Sequence, residues 1–269
     1  MYAGFLTHKH TSNFLGAHQR LDKISHRILL EHIAPEKFPK MKALYRFEGV
    51  DGPDGIKMKS PSQNELWHYI DPDNENDTKL TEILELQIKL LATALFERNV
   101  ERAAFEAAWL AHGIVDGLTP AHQFPYEQAM TEATGLDGSQ RTSKAKKIIA
   151  RGDGKLDTLN RNWKIWGTKG LMVSHHGFEI GVATIILPRS FSNLHMSDAR
   201  LQARLEQTYT ENFKQSVDEV AKLHMYERFI RRGWNTALAR DARETLVPSI
   251  VSLITEAWYR AVVMARENS

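Results

Sequence analysis

Apolar residues recur three or four positions apart along most of the chain, separated by polar residues. This spacing places the apolar side chains on one face of a helix. It predicts helices over residues 15–33, 78–97, 100–116, 171–186 and 247–265, and a long amphipathic stretch over 197–239 with a break near Gly233. Pro120 and Pro188 end two of these patterns, because proline disfavours helix in the residue before it. No stretch of useful length alternates between apolar and polar residues, as a half-buried strand would, so the sequence predicts an all-α fold.

Two long segments lack the helical pattern. Residues 34–76 are rich in Gly, Pro, Asp and Asn, and residues 135–168 are polar with scattered Trp. Loops of this length within a compact domain are usually functional or disordered. Because there is no internal repeat and no low-complexity linker, the chain is predicted to form one multi-helix domain over residues 1–269.

The amino-acid composition limits the kinds of partner and metal site that the protein can have. The 269 residues carry a net charge of +2, which gives no argument for bulk attraction to nucleic acid. The chain has 12 His and no Cys, so disulfides and thiolate metal sites are excluded and a transition-metal site must use His and carboxylates. The apolar stretch 180–187 is too short to span a bilayer, and the first eight residues contain no apolar core of signal-peptide length. No transmembrane segment is therefore expected, and the compartment is left open.

The segment from Trp109 to His122 carries the first candidate site. His112 and Asp116 are four residues apart on a predicted helix, so their side chains point to one face. Pro120 ends that helix and lets the chain turn back, which brings His122 towards the same region. Imidazole and carboxylate groups suit Zn²⁺, and a carboxylate such as Asp116 can bridge two ions. A His-x3-Asp pair alone is most often an ordinary hydrogen-bonded or ion pair, so the third histidine strengthens the argument.

A second pair with the same spacing lies in an otherwise apolar predicted helix. Its members are His175 and Glu179. A charge buried there is costly unless it has a partner. A metal ion would be such a partner, and a plain His–Glu pair in the core is the alternative. The neighbouring His176 is expected at the surface or outside the ligand shell.

The combined pattern resembles the zinc-dependent phospholipase C and single-strand-specific nuclease superfamily. The spacing His112-x3-Asp116-x5-His122, with a proline two positions before the last histidine, is similar to that family's central motif. His175-x3-Glu179 is similar to its later pair, and the string Trp67-His68-Tyr69-Ile70-Asp71 is similar to a form common in its nuclease branch. The resemblance spans about residues 8–180 and covers eight positions: His18, Asp54, His68, His112, Asp116, His122, His175 and Glu179.

The resemblance implies a helical fold with long loops lining a metal cleft and two or three zinc ions. One ion would be held by Asp54, His68, His112 and Asp116, and a second by His122, His175 and Glu179. A third would be shared through Asp116 with His18. In that family an N-terminal Trp completes the third site. Here the first Trp is Trp67, so His8 or His10 would have to replace the N-terminal Trp as a ligand of the third ion. For the acidic ligand of the first ion, Asp51 is an alternative to Asp54.

The implied activity is hydrolysis of a phosphodiester by metal-activated water, with Asp54 orienting the water or accepting its proton. No obligate protein partner is indicated. The substrate would be a phospholipid head group or single-stranded nucleic acid. Glu179 and the interval between Asp54 and His68 favour the phospholipase branch, whereas the Trp67–Asp71 string favours the nuclease branch. Gly55 and Glu65 stand where choline-cleaving members carry aromatic residues, so no choline cage is expected.

Two other classes of protein remain as alternatives. One is a helical metal-binding protein without catalytic activity, and the other is a plain helical scaffold that binds no metal. The remaining candidate residues are expected to have ordinary roles. The basic stretch Arg141–Arg151 is expected to be a solvated helix face, His26 and His32 to lie at the surface, and Trp67, Trp109, Trp163 and Trp166 to pack in the core.

Overall fold

A computed structural model of the chain describes residues 16–48, 52–53, 69–123, 125–137, 140–141, 146, 149–187 and 191–267. Within these residues the structure contains helices and no strand, so the predicted all-α fold is confirmed. The helices are α1 (Ala17–Leu29), α2 (Met41–Glu48), α3 (Lys79–Phe96), α4 (Val100–Leu118), α5 (Pro120–Gln123), α6 (Tyr126–Thr134), α7 (Lys155–Trp166), α8 (Leu171–Ile186), α9 (Asp198–Leu205), α10 (Tyr209–Ala221), α11 (Met225–Arg232), α12 (Thr236–Asp241) and α13 (Val247–Glu267). A short 3₁₀ helix (Pro35–Lys37) follows α1, and a π-helical turn (Ala242–Leu246) joins α12 to α13.

Helix α4 lies at the centre of the fold. Its alanines at 103, 104, 107 and 111 are buried, and these small side chains let α2, α3 and α13 pack closely around it. Trp258 of α13 is fully buried and donates its indole N–H to the carbonyl oxygen of Ala107 at 3.1 Å. Because α4 is surrounded on several sides, polar residues along it must find their partners inside the protein.

A glycine on α4 fixes how closely its neighbours approach. A Cβ added at Gly117 would lie 2.5 Å from Leu80 Cδ2 of α3 and 2.8 Å from Phe213 Cζ of α10. Both helices therefore reach α4 at a separation that only glycine permits. This contact is one residue from Asp116, so the close packing also fixes the position of that carboxylate.

Helix α8 connects two hydrophobic cores of unequal size. Phe178, Val182 and Ile186 belong to the large core around α4. At the other end of α8, Leu171 and Met172 pack against a small core formed by Met130, Ala133, Ala150 and Ile165, from α6, the chain before α7, and α7 itself. The stretch of α8 between the two cores carries His175 and Glu179.

Among the described residues, one helical segment, Thr236–Glu267, is long and apolar enough to cross a membrane by length and composition alone, and an 18-residue window within it has a mean hydropathy of 1.3. Of this window, 72% is buried inside the fold, because α13 packs against α1, α3 and α4. Its fully buried Glu256 accepts charge-assisted hydrogen bonds from Arg204 at 2.5 Å and from Arg260 at 2.9 Å. The hydropathy of this segment is thus accounted for by contacts within the core.

The predicted helix positions differ from the structure in several places, and no helix was predicted where α5 and α6 lie. Helix α2 lies in the segment 34–76 and α7 lies in the segment 135–168, although both segments were expected to be irregular. The stretch 197–239 forms four helices rather than two. One of the added boundaries lies at Thr208, which begins α10 with a capping box. In this capping box the Thr208 side chain accepts a hydrogen bond from the backbone N–H of Glu211, and the Glu211 side chain accepts one from the backbone N–H of Thr208. Helix α7 carries apolar residues at helical spacing, so the expectation of an irregular segment there was wrong although the sequence held a signal for a helix.

Candidate metal centre

Helix α4 supplies two residues at the middle of the site. His112 and Asp116 are buried, and His112 Nε2 lies 3.2 Å from Asp116 Oδ2. The spacing of four residues aligns them on the face that meets α1 and α2. The expected pairing on one helix face is therefore present.

His18 of α1 stacks on His112. The ring centroids are 4.2 Å apart with an interplanar angle of 13°, and His18 is fully buried. Its Nε2 lies 3.3 Å from the second carboxylate oxygen, Asp116 Oδ1. The Nε2 atoms of both rings thus face the same carboxylate.

Two further carboxylic acids, which the sequence did not identify, lie near these rings, and one of them, Glu48, is on their Nδ1 side. Glu48, at the end of α2, is fully buried, and its Oε2 lies 3.4 Å from His112 Nδ1 and 3.9 Å from His18 Nδ1. Asp22 of α1 is also fully buried. A signal for Asp22 was available, because His18 and Asp22 repeat the four-residue spacing of the other two pairs. Glu48 has no such signal in the sequence.

A second group gathers His122, His175 and Glu179. Helix α4 ends at Leu118, Thr119 is extended, and Pro120 begins α5, so the chain turns back as expected. His122 Nε2 lies 3.0 Å from Glu179 Oε1, and His175 Nε2 lies 3.1 Å from the same oxygen. His122 Nε2 is also 3.9 Å from Asp116 Oδ1. Asp116 therefore lies between the two groups.

Burial and neighbouring charges set the ionisation of these side chains. Burial alone would raise the pKa of Asp116, but neighbouring positive charge and a hydrogen bond from His112 hold it well below its usual range. The pKa of Glu179 is likewise lowered, because neighbouring positive charge and hydrogen bonds from His122 and His175 together outweigh burial. Burial lowers the pKa of His122 to about 4, against the opposing effect of Asp116. Near neutral pH the site thus contains anionic carboxylates beside a neutral imidazole, which is the protonation state that metal binding needs.

Asp22 behaves in the opposite way. Burial, together with the nearby Glu48, raises its pKa well above the usual range. Neither carboxylate oxygen of Asp22 has a hydrogen-bond partner, and Glu48 Oε1 has none either. Buried oxygens without partners are uncommon in folded proteins. They are consistent with a site that a cation completes.

The donor set fits a metal such as zinc. His18, Glu48 and His112 form one buried group whose ligand atoms lie within 4.8 Å of one another, and His122, His175 and Glu179 form another. Each group offers nitrogen and oxygen ligands, a combination that zinc and other borderline divalent ions accept. The two groups can hold metal ions, and the identity of the metal is not fixed by the geometry.

The structure thus brings together six of the eight sequence-predicted ligands. They are His18, His112, Asp116, His122, His175 and Glu179. Asp54 and His68 lie outside the described residues, as do the competing Asp51, the possible substitutes His8 and His10, and Gly55, Glu65 and Trp67. The assignments of these residues remain predictions.

Several expectations about other residues are corrected by their environment. Trp163 and Trp166 are 63% and 45% exposed rather than packed in the core. Arg141 is buried and bonds to the carbonyl oxygen of Leu136, so it does not belong to a solvated face. His26 is half-buried against Phe38 and Trp258, while His176 is exposed as expected.

Comparison with known proteins adds no relative. No family model matches the chain, and neither does any curated protein or solved structure.

Proposed function

We propose that this chain is a zinc-dependent phosphodiester hydrolase of the phospholipase C-like type. One observation carries the proposal: Asp116 lies between two buried groups of histidine and carboxylate side chains, with a histidine of each group within 4 Å of the same oxygen, Oδ1. A shared carboxylate between two ligand groups suits a pair of ions acting on one phosphate.

The orientation of the rings supports a division of roles. Metal-bound histidines usually donate their other ring N–H to a carboxylate, which fixes the tautomer and the ring. Glu48 lies on the Nδ1 side of His18 and His112, and Asp116 lies on the Nε2 side. In the proposed centre His18, His112 and Asp116 hold metal, and Glu48 orients the two imidazoles from behind. His122, His175 and Glu179 hold the second ion, with Asp54 and His68 as the further ligands expected from the resemblance.

When bound, zinc would supply a water of lowered pKa and positive charge for the phosphoryl oxygens. The side chains of the protein would balance the charge of the ions and bind them. Asp116 and Glu179, which burial fails to neutralise, would balance the charge of the ions. His122 remains neutral and keeps a lone pair for coordination. Proton acceptance by Asp54 stays a prediction from the resemblance.

Cleavage of single-stranded nucleic acid is the second candidate. It is favoured by Tyr69, whose ring stacks on His122 with centroids 5.0 Å apart. An aromatic ring beside a phosphate-binding centre can stack a nucleobase without regard to its sequence.

The test combines metal content with turnover. We expect the wild-type protein to contain two or three zinc ions and to hydrolyse bis(p-nitrophenyl) phosphate. His112→Ala and Asp116→Ala should each lose at least one ion and reduce turnover by about a thousandfold or more. His176→Ala is the matched control, because His176 is exposed beside His175 and should change neither quantity.

The outcomes separate the alternatives. Unchanged zinc and turnover in both α4 variants would contradict the proposed centre. Full zinc content without turnover would indicate a non-catalytic metal-binding protein, and no metal at all would indicate a plain scaffold. For an active protein, comparing phosphatidylcholine, other phospholipids and single-stranded DNA decides between the two substrate classes.

A further inference from the structure

Helix α7 exposes a stripe of large apolar residues. Leu156 is 84% exposed, Leu159 65%, Trp163 63% and Trp166 45%. Their spacings of three, four and three residues confine them to an arc of about 80° on the helix. Isolated apolar residues are normal at protein surfaces, but a contiguous row of this kind marks an interaction site.

The orientation of this stripe is fixed by the opposite face of α7. Ile165 is fully buried in the small core with Met130 and Ala133. Asn162 donates to the carbonyl oxygen of Ala150 at 2.7 Å, and Arg161 bonds both Asp157 and the carbonyl oxygen of Thr134. Since these contacts hold the inner face, α7 cannot turn its leucines and tryptophans inwards.

Positive charge surrounds the stripe. Between residues 151 and 169 the chain has five basic and two acidic residues, a net charge of +3. Four of the basic residues are exposed: Arg151, Lys155, Lys164 and Lys169. The other, Arg161, is paired with Asp157 at 2.8 Å. The apolar stripe therefore carries a cationic border.

We propose that α7 is a docking surface for an anionic phospholipid bilayer. A helix that places Leu and Trp on one face, with Lys and Arg beside them, lies in the lipid interface, where the apolar residues enter the acyl boundary and the cations meet lipid phosphates. The indole rings suit this depth, since each has an apolar body and a polar N–H. The proposal does not rest on the metal centre, although α7 packs directly against α8, which carries His175 and Glu179.

A second copy of the chain fits this surface less well. Two copies joined face to face through α7 would bring two clusters of net charge +3 together. Taking about 200 Å² for each complete side chain, the middle of the range for aromatic residues, the exposed fractions of these four side chains correspond to roughly 500 Å². That is below the roughly 800 Å² per partner of a typical stable interface.

The experiment measures binding of the chelated, full-length protein to vesicles of phosphatidylglycerol and phosphatidylcholine by co-sedimentation. Chelator prevents hydrolysis, so binding is scored independently of the metal centre. We expect Leu156→Gln/Leu159→Gln to weaken binding at least about tenfold. The matched control is Leu86→Gln/Leu90→Gln on α3, an exposed leucine pair outside the cationic border, which should bind like wild type.

A second measurement reports insertion directly. Quenching of tryptophan fluorescence by brominated acyl chains should occur in wild type and fall in Trp163→Phe, a change that leaves the stripe apolar. The proposal is overturned by any of four results: no binding of the wild type to anionic vesicles, equal loss in both leucine variants, unchanged binding of Leu156→Gln/Leu159→Gln, or dimerisation through α7 in place of vesicle binding.

Discussion

Within the described helices, three pairs of side chains share one spacing, a histidine followed four residues later by a carboxylic acid. In His112/Asp116 and His175/Glu179 the acid is ionised and lies within 3.2 Å of its histidine. In the third pair, Asp22 has a raised pKa and no hydrogen-bond partner. The same spacing thus gives different chemistry, because the charges around each carboxyl group differ.

The role of Glu48 leads to a prediction about a single residue. If Glu48 orients His18 and His112 through their Nδ1 atoms, Glu48→Gln should keep the full number of zinc ions while lowering affinity about 10- to 100-fold. Competition with a graded chelator, combined with elemental analysis, measures both quantities. Loss of one ion from Glu48→Gln would instead make Glu48 a direct ligand and place that metal on the Nδ1 side, towards Asp22. Asp116→Asn should lose an ion in the first case and keep it in the second.

At the scale of helices, α13 is joined to α9 and α10 by a buried charge network. Glu256 is fully buried and is held by Arg204, Arg260 and Asn212 at 2.5, 2.9 and 2.9 Å. Removing one charge from such a network leaves the partner charges uncompensated. We expect Glu256→Gln to lower the free energy of unfolding by about 3 kcal/mol, the lower end for buried pairs, since both arginines are partly exposed.

Urea denaturation measures this change, and Arg46→Gln provides the control. That substitution removes an ion pair of 2.8 Å between Arg46 and Glu101, whose side chains are 61% and 69% exposed. It should cost less than about 1 kcal/mol. Similar losses in the two variants would contradict a special contribution from the buried network.

Hydrophobic spacing predicted most helices of the large core, although not α2, whose Leu44 is buried there. Helix α8 was predicted at its observed bounds, Leu171–Ile186, because its apolar residues are nearly continuous and Pro188 follows. Helix α7 carries the same helical spacing, at Leu156, Leu159, Trp163 and Trp166, so the sequence held a signal for it and the expectation of an irregular segment was wrong. The sequence also predicted that His122 lies near Asp116, since Pro120 ends the helix that carries Asp116. Glu48 could not be predicted, because its place beside His112 depends on how α2 packs against α4.

At the scale of the whole molecule, the buried ionisable groups govern acid stability of the metal-free protein. Burial lowers the pKa of His122 from 6.5 to about 4, so between these pH values the unfolded chain takes up a proton that the folded chain does not. Stability should therefore fall as pH falls through this window, by up to about 3 kcal/mol. The lowered pKa values of Asp116 and Glu179 extend the loss below pH 4, whereas the raised pKa of Asp22 acts in the opposite direction.

Urea midpoints of the chelated protein at pH 7, 6 and 5 test this dependence. His122→Gln should flatten the decline, and His176→Gln, an exposed neighbour of the site, should leave it unchanged. An identical decline in wild type and His122→Gln would show that other groups control it.

The two hydrophobic cores differ in how much cooperative stability each can supply. The large core spans most of the helices, whereas the small one has four buried residues with Leu171 and Met172 against them. Local opening costs less where fewer apolar contacts must separate. Backbone amides of α6 and α7 should therefore exchange with solvent deuterium through a sub-global opening, long before those of α4. That opening would release one end of α8 and expose His175 to solvent, while His112 stays buried. Solvent would therefore reach one ligand group more easily than the other, even though a single carboxylate lies between them.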